Sequence, residues 1–372
     1  MSDPHQHVPR DTTPALGKPG EPAFGEKTGG GEKVALHIGQ YKDGRWSYLY
    51  DKDTEYGSQA PDLEVIRDAA RKARSGPLPD TIQGPIMHEP VWTWEVPLYF
   101  WFGGMASGAA FVALAADLAR DEHAAAIARR VALVALVPSP ALLIMDLGRP
   151  MRFYNMLRIV KVRSPMSMGA WALTAFGNLA AASVGADLIG RRHAAKRLGA
   201  ANAVVGGYLG SYTGVLLAST AVPLWARSRW FLGPIFISTA TATGAAACRL
   251  VLVAAGRKPG DPTREALGHV EAAAMGTELL LSTINERRLG PLAHGLDEGR
   301  PGKLYKAAKW STRLGLALRF GSRRGTPAHH VASGLYMLAA LLFRYAWVGA
   351  GKHNASDDRV VAEMARSRRH GH

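Results

Sequence analysis

Cysteine is nearly absent from this chain: Cys248 is the single one in 372 residues. One thiol can neither close an intramolecular disulfide nor hold a four-cysteine iron–sulfur cluster, so both are excluded within the chain. Cys248 lies inside an apolar run and reads as a small buried hydrophobe. Histidines exist but are badly placed for haem. A membrane b-type haem needs two inward-facing axial histidines on helices, whereas His193, His294, His329 and His330 fall in loops or at helix ends and only His269 lies within an expected span. No His, Cys and carboxylate cluster has metal-ligand spacing. The first 30 residues also lack the apolar core of a secretory signal. The first apolar run is therefore expected to act as its own insertion signal.

What is present divides sharply along the chain. The mean hydropathy of -0.04 resembles that of a soluble protein, but it averages two unlike regions. Residues 1–90 form a polar N-terminal extension rich in Gly and Pro, residues 91–352 carry repeated apolar runs, and residues 353–372 are a polar tail. A bilayer-spanning helix needs about 20 apolar residues. Clear spans are expected at 95–119, 128–147, 166–189, 199–222, 230–255 and 329–350. Two further segments, 265–285 with Glu271 and Glu278, and 305–320 with Lys306, Lys309 and Arg313, carry charges that call for shielding inside a bundle or an interfacial position. The expected fold class is all-α: a polytopic membrane helix bundle of about eight transmembrane helices, with seven as the alternative count. In the extension, 1–32 has the composition of a disordered segment, a short hairpin is expected around Lys42-Asp43-Gly44, and a surface helix over 62–74. An extension so poor in apolar residues suits a tail lying on a partner subunit better than an independent domain.

The formal net charge of +15 would point to nucleic acid in a soluble protein. Here Arg149, Arg152, Arg158, Lys161 and Arg163 fill one inter-run loop, and Arg191, Arg192, Lys196 and Arg197 the next. Cations in such loops face anionic lipid headgroups, so no nucleic-acid partner is expected. Lys and Arg divide evenly between the two sets of loops and do not fix the orientation. The long polar N-terminal region favours a cytoplasmic N-terminus in a multi-pass protein of the cell (inner) membrane.

Several residues carry potential chemistry. Glu95 and Tyr99 are one helical turn apart, so they share a face near the start of the first apolar run; a carboxylate and a phenol there could bind and protonate a polar ring. Trp92 and Trp94 read as interfacial anchors. Gly104 and Gly108, and later Gly206, Gly210 and Gly214, form small-residue stripes that let helices pack closely, and place the first and fourth runs at the centre of a tight bundle. Tyr208 and Tyr212 sit beside those glycines, able either to face a pocket or to bond across helices. Asp146 and Arg149, three apart in Asp146-Leu-Gly-Arg149-Pro150, are either an ion pair holding the corner or a proton or headgroup site; Arg149 is assigned to the corner and Asp146 stays open. Glu271 and Glu278 are seven apart and face one way. With Arg249 and Arg344 as candidate partners, they serve as a proton relay or as helix glue.

Together these motifs resemble the polysulfide reductase membrane-subunit family, also called NrfD/PsrC-like. The resemblance spans roughly residues 90–360. It rests on Trp94 to Gly108, Asp146-Leu-Gly-Arg-Pro150 with Arg152-Phe153, Ser164-Pro-Met-Ser167 with Gly169, Tyr212-Thr-Gly214, Pro223-Leu-Trp225, and Arg344 to Gly351 with Asp357. It implies an eight-helix quinone-reactive anchor without haem or iron–sulfur cluster of its own. Such an anchor exchanges electrons between a four-cluster ferredoxin-like iron–sulfur subunit and menaquinone or another quinone; that subunit in turn serves a molybdenum or tungsten molybdopterin catalytic subunit. By the resemblance, the quinone lies among the first four helices, with Tyr212, Glu95 and Tyr99 at the contacting positions and Asp146, Glu271 and Glu278 as proton-transfer candidates. The alternatives from other classes are a proton or solute transporter and a purely structural anchor without a quinone site.

Overall fold

In the computed structural model, the described residues are 86–147, 150–323 and 326–367, together with Arg67 and Arg71, both helical. The hairpin expected near Lys42-Asp43-Gly44, most of the helix expected over 62–74, and Arg149 lie outside them. The chain divides into a unit comprising Glu89–Val360 and a second formed by 1–88 and 361–372. The first is a helix bundle, and among the described residues there is no strand.

The helices are α1 (Glu95–Leu118), α2 (Glu122–Leu136), α3 (Pro138–Met145), α4 (Pro165–Leu188), α5 (Arg192–Ala218), α6 (Pro223–Arg227), α7 (Arg229–Ala254), α8 (Pro262–Leu289), α9 (Gly299–Gly321), α10 (Ala328–Ser356) and α11 (Asp358–Ser367). Irregular 3₁₀ segments at Pro150–Leu157 and Gly290–Leu296 join α3 to α4 and α8 to α9. With α2 and α3 taken as one broken pass, the bundle has eight long passes among the described residues. Four stretches, α1, Glu122–Met145, α7 and α10, are each long and apolar enough to cross a membrane. The passes at α4 and α5, expected to be clear spans, fall short of that composition. Asn178 and Asp187 dilute α4; Arg192, Lys196, Arg197 and Asn202 dilute α5.

Local chemistry sets the boundaries. Asp121 caps α2 through its carboxylate, which accepts the Ala124 N–H at 3.0 Å, and Asp261 caps α8 through the Arg264 N–H at 3.0 Å. Ser164 caps α4 in the same way, with Pro165 at the first helical position, where its missing N–H costs nothing. These caps start α2 six residues before the expected span. The break after Leu136 falls at Pro138, which cannot donate into the preceding turn.

Close packing centres on α7. A Cβ on Gly108 would overlap the Ala240 carbonyl, one on Gly244 would overlap the Gly108 backbone, and one on Gly214 would overlap the Leu232 carbonyl. Of the glycines expected to pack the first and fourth passes closely, Gly206 and Gly210 do lie against Ser107 of the first pass, while Gly108 and Gly214 seat against α7. Phe100, Phe236, Phe343 and Trp347 continue the core in steps of 6.2, 6.2 and 5.9 Å between ring centroids, linking α1, α7 and α10. At one end of the bundle the Tyr345 hydroxyl donates to the Trp94 carbonyl at 3.0 Å and Lys352 to the Trp92 carbonyl at 3.1 Å. The end of α10 thus lies beside the start of α1.

Candidate functional site

A cleft opens at that same end, among α1, α3, α4 and α5. It is lined by Trp92, Val96, Tyr99 and Phe100 from the first pass, and by Leu142, Leu143 and Asp146 at the end of α3. Met156, Met166, Gly169, Ala170, Tyr212 and Leu216 complete it. Two of the three ring-contacting candidates, Tyr99 and Tyr212, therefore face one space together with Asp146. Both tyrosines are 3% exposed. Among the described residues, no hydrogen-bond partner engages either hydroxyl.

The tyrosines are held by packing. Tyr212 stacks on Tyr208 with ring centroids 5.6 Å apart, and its ring lies where a Cβ on residue 169 would be. Only glycine at 169 admits it. Trp92 stacks on Trp225 at 5.3 Å, and the Trp225 indole donates to the Trp347 carbonyl at 2.9 Å. A Cβ on Gly351 would overlap that indole. The Gly169, Pro223-Leu-Trp225 and Gly351 elements of the resemblance thus frame the cleft.

Asp146 stands at the end of α3, outside the helix proper. Burial pushes its carboxyl above the ordinary range, the nearby Glu95 carboxylate adds to the rise, and a hydrogen bond from the Thr93 backbone partly opposes it. Glu95 is a neighbour of this acid rather than part of the lining; its own carboxylate accepts from the Thr93 hydroxyl. The interior of the cleft is about 30 Å³, room for a water or two. A ring can enter only if the side chains at the mouth move, and Met156 and Met166 are flexible enough to do so.

The other candidates lie elsewhere. Glu271 and Glu278 are buried on α8, at 0% and 3% exposure. Glu271 accepts hydrogen bonds from Arg319 and, at 2.7 Å, from Ser333. The expected partner Arg249 comes no nearer than 4.0 Å. Sequence reasoning missed Arg319 as the partner; the signal was an arginine in the last turn of a segment whose other charges lie further upstream. Glu278 accepts from Ser282 at 2.7 Å. Arg344 instead stacks over the Phe236 ring at 3.9 Å and donates to the Phe236 carbonyl. No ion pair within 4.0 Å joins it to Glu278 among the described residues. Also missed was a buried triad in which Arg129 bridges Asp117 at 2.6 Å and Asp187 at 2.5 Å, tying together α1, α2 and α4. Charged residues at 117, 129 and 187, inside or at the edge of apolar runs, were its signal.

At the far end of the bundle a second charged cluster locks the α7–α8 turn to the start of α2. Arg257 pairs with Asp121 at 2.7 Å and Asp261 at 2.6 Å, and the Thr263 hydroxyl donates to Asp121 at 2.6 Å. Burial alone would raise the Asp121 carboxyl, but the Thr263, Ala124 and Arg257 hydrogen bonds outweigh it and hold the pKa below the ordinary value. Asp261 is lowered in the same way, against burial, by Arg257 and the Arg264 N–H.

A comparison with curated proteins gives no match. Residues 85–351 match the family described as Polysulphide reductase, NrfD. Members of this family are membrane subunits of oxidoreductase complexes, and the apolar passes of the bundle agree with a multi-pass membrane anchor. With most of its length matched, and with Gly169, Trp225 and Gly351 framing one cleft, this chain belongs to the NrfD polysulphide reductase family.

Proposed function

We propose that this chain is the membrane anchor and quinone-reactive subunit of a molybdopterin/iron–sulfur oxidoreductase complex, with all eight passes in the membrane. The observation that carries the reading is the cleft. Two buried tyrosines face it with hydroxyls that engage no partner among the described residues, beside a carboxyl whose pKa is raised. A phenol hydroxyl open to the cleft is free to donate to a ring carbonyl. Val96, Phe100, Leu142 and Leu216 offer an apolar wall for an isoprenoid chain.

The quinone, menaquinone in the first instance, supplies two-electron chemistry at its ring. The protein's own part is positioning and protons. Tyr212 donates to a ring carbonyl, with Tyr99 across the cleft. Asp146, protonated more readily than an ordinary carboxyl, gives or takes the proton at its carboxyl oxygen. Glu95 tunes that acid from outside the lining, which changes its role from ring contact to neighbour. Glu271, bonded by Ser333 of α10, and Glu278, bonded by Ser282, serve as further proton carriers on α8. Arg149 is assigned to the corner between α3 and α4.

Co-purification tests the reading. Affinity capture of the tagged chain from native membranes should bring down an iron–sulfur subunit and a molybdopterin subunit, and extraction should recover a quinone. The two subunits without quinone would reduce the chain to a structural anchor. Capture of the chain alone would favour a transporter.

A further inference from the structure

A cationic cavity stands away from the cleft. A cavity of about 240 Å³ lies among the end of α7, the start of α8, the end of α9 and the start of α10. It is at the opposite end of the bundle: its lining residue His329 is 16 residues before Tyr345 on α10, about 24 Å at 1.5 Å per residue. The exposed turn residues Pro259 and Gly260 stand at its mouth.

Three arginines line it. Arg249, Arg264 and Arg319 are 2%, 4% and 6% exposed. They come from three helices but converge. A Cβ on Gly268 would lie 2.8 Å from Arg319 Nη1 and 3.7 Å from Arg249 Nε, so a missing side chain on α8 gives both guanidiniums their room. Their anionic compensation is incomplete. Arg319 holds Glu271, which stands 4.0 Å from Arg249. Arg249 otherwise bonds the neutral His329 carbonyl at 3.1 Å and the Ser333 hydroxyl at 3.0 Å. Arg264 bonds the Arg257 carbonyl at 3.1 Å and faces His330 Nε2 at 3.3 Å. Even with Glu265 of the lining counted, two carboxylates meet three guanidiniums. The neighbouring Asp121, Asp261 and Arg257 carry one net negative charge outside the lining, but the two carboxylates spend their oxygens on Arg257, Thr263 and the two helix caps and meet none of the three guanidiniums. The Nε atoms of Arg249 and Arg319 are buried without a hydrogen-bond partner.

Buried cations in excess are expensive unless an anion meets them. Helix glue would need carboxylates in equal number and no cavity. The space here far exceeds the ~10–15 Å³ that one water needs. We propose that Arg249, Arg264 and Arg319 form a binding site for a phosphate-class oxyanion, either free or as the headgroup of an anionic lipid, at the end of the bundle remote from the cleft. Guanidinium forks suit tetrahedral oxyanions because each can donate two parallel N–H groups.

The test uses the full-length chain in zwitterionic phosphatidylcholine nanodiscs. Inorganic phosphate at 10 mM should raise the melting temperature by at least about 2 °C over sodium chloride of equal ionic strength, and Arg264→Gln should weaken phosphate binding about tenfold or more. If the source is lipid, phosphatidylglycerol nanodiscs should stabilise the wild type instead, with phosphatidylglycerol retained in native mass spectra of the wild type but not of Arg264→Gln. No stabilisation by either, or equal stabilisation of the variant, overturns the proposal. Should Arg264→Gln not fold, Glu265→Gln serves: removing a carboxylate from the lining should tighten binding of whichever probe acts on the wild type, roughly threefold or more. Unchanged or weaker binding refutes the site. None of these outcomes depends on the quinone reading.

Discussion

Replacing Tyr212 by Phe isolates one oxygen atom. The ring stays, so the stacking on Tyr208 and the fit over Gly169 survive. No protein hydrogen bond is lost, because none engages this hydroxyl among the described residues. Stability should therefore stay within about 0.5 kcal/mol of wild type, as for changes that touch no buried network. Activity should respond very differently. A neutral hydrogen bond to a ring carbonyl contributes about 0.5–1.5 kcal/mol, a loss of roughly two- to tenfold in quinone affinity. Where the same donor meets negative charge developing on that oxygen, the loss grows to about 10²–10³-fold in turnover. The assay is quinone-coupled electron transfer by the purified complex, with a soluble dye as the second acceptor. Tyr212→Phe should lose at least about tenfold with quinone and keep dye activity and assembly. Normal quinone turnover would remove Tyr212 from the site. A parallel loss of dye activity or of melting temperature would make its role structural.

Gly169→Ala places a methyl where the Tyr212 ring lies; overpacking should cost about 1–3 kcal/mol and depress quinone activity as well. Gly207→Ala on α5, where the new methyl meets open space, should leave melting temperature and activity unchanged or improve stability. Glu271→Leu strips Arg319 and Ser333 of their carboxylate in a fully buried setting; thermal unfolding should show a loss of about 3–5 kcal/mol, with Glu271→Gln losing less. Asp121 and Asp261 have folded pKa values below their unfolded ones, so the stability they contribute is present above the unfolded carboxylate pKa and lost as pH falls through the lowered one. Arg257→Gln should remove that stabilisation at neutral pH and flatten the acid limb of a melting-temperature profile below pH 4 or so; an unchanged acid limb would show that the cluster is not coupled to folding.

Much of the architecture was legible because apolar runs and helix breakers are local signals. The passes begin where Asp121, Ser164 and Asp261 cap them, and each cap is readable beside its Pro or apolar run. The cleft was half legible: Tyr99, Tyr212 and Asp146 announced themselves as polar groups within or beside apolar segments, and the structure brings them together. Glu95 was assigned to the same face as Tyr99 from helical spacing, yet its carboxylate is held by the Thr93 hydroxyl and stays out of the cleft lining, since residues one turn apart near a helix start can still diverge in depth. What sequence could not supply was pairing between distant helices. Glu271 with Arg319, Gly108 with Ala240, and Trp225 with Gly351 are each set by which helix packs beside which.

The same limit explains the arginine cavity, and it bears on how the bundle divides its labour. Arg249, Arg264 and Arg319 are separated by 15 and 55 residues along the chain, and each alone reads as a charge near a helix end. Only their convergence on one cavity makes an excess of buried positive charge in its lining. At the cleft two carboxyls come together instead: Asp146 and Glu95 stand close enough that one raises the pKa of the other. Each end of the bundle thus gathers like charges from distant stretches of chain, and like charges brought together are costly unless a ligand or a proton offsets them.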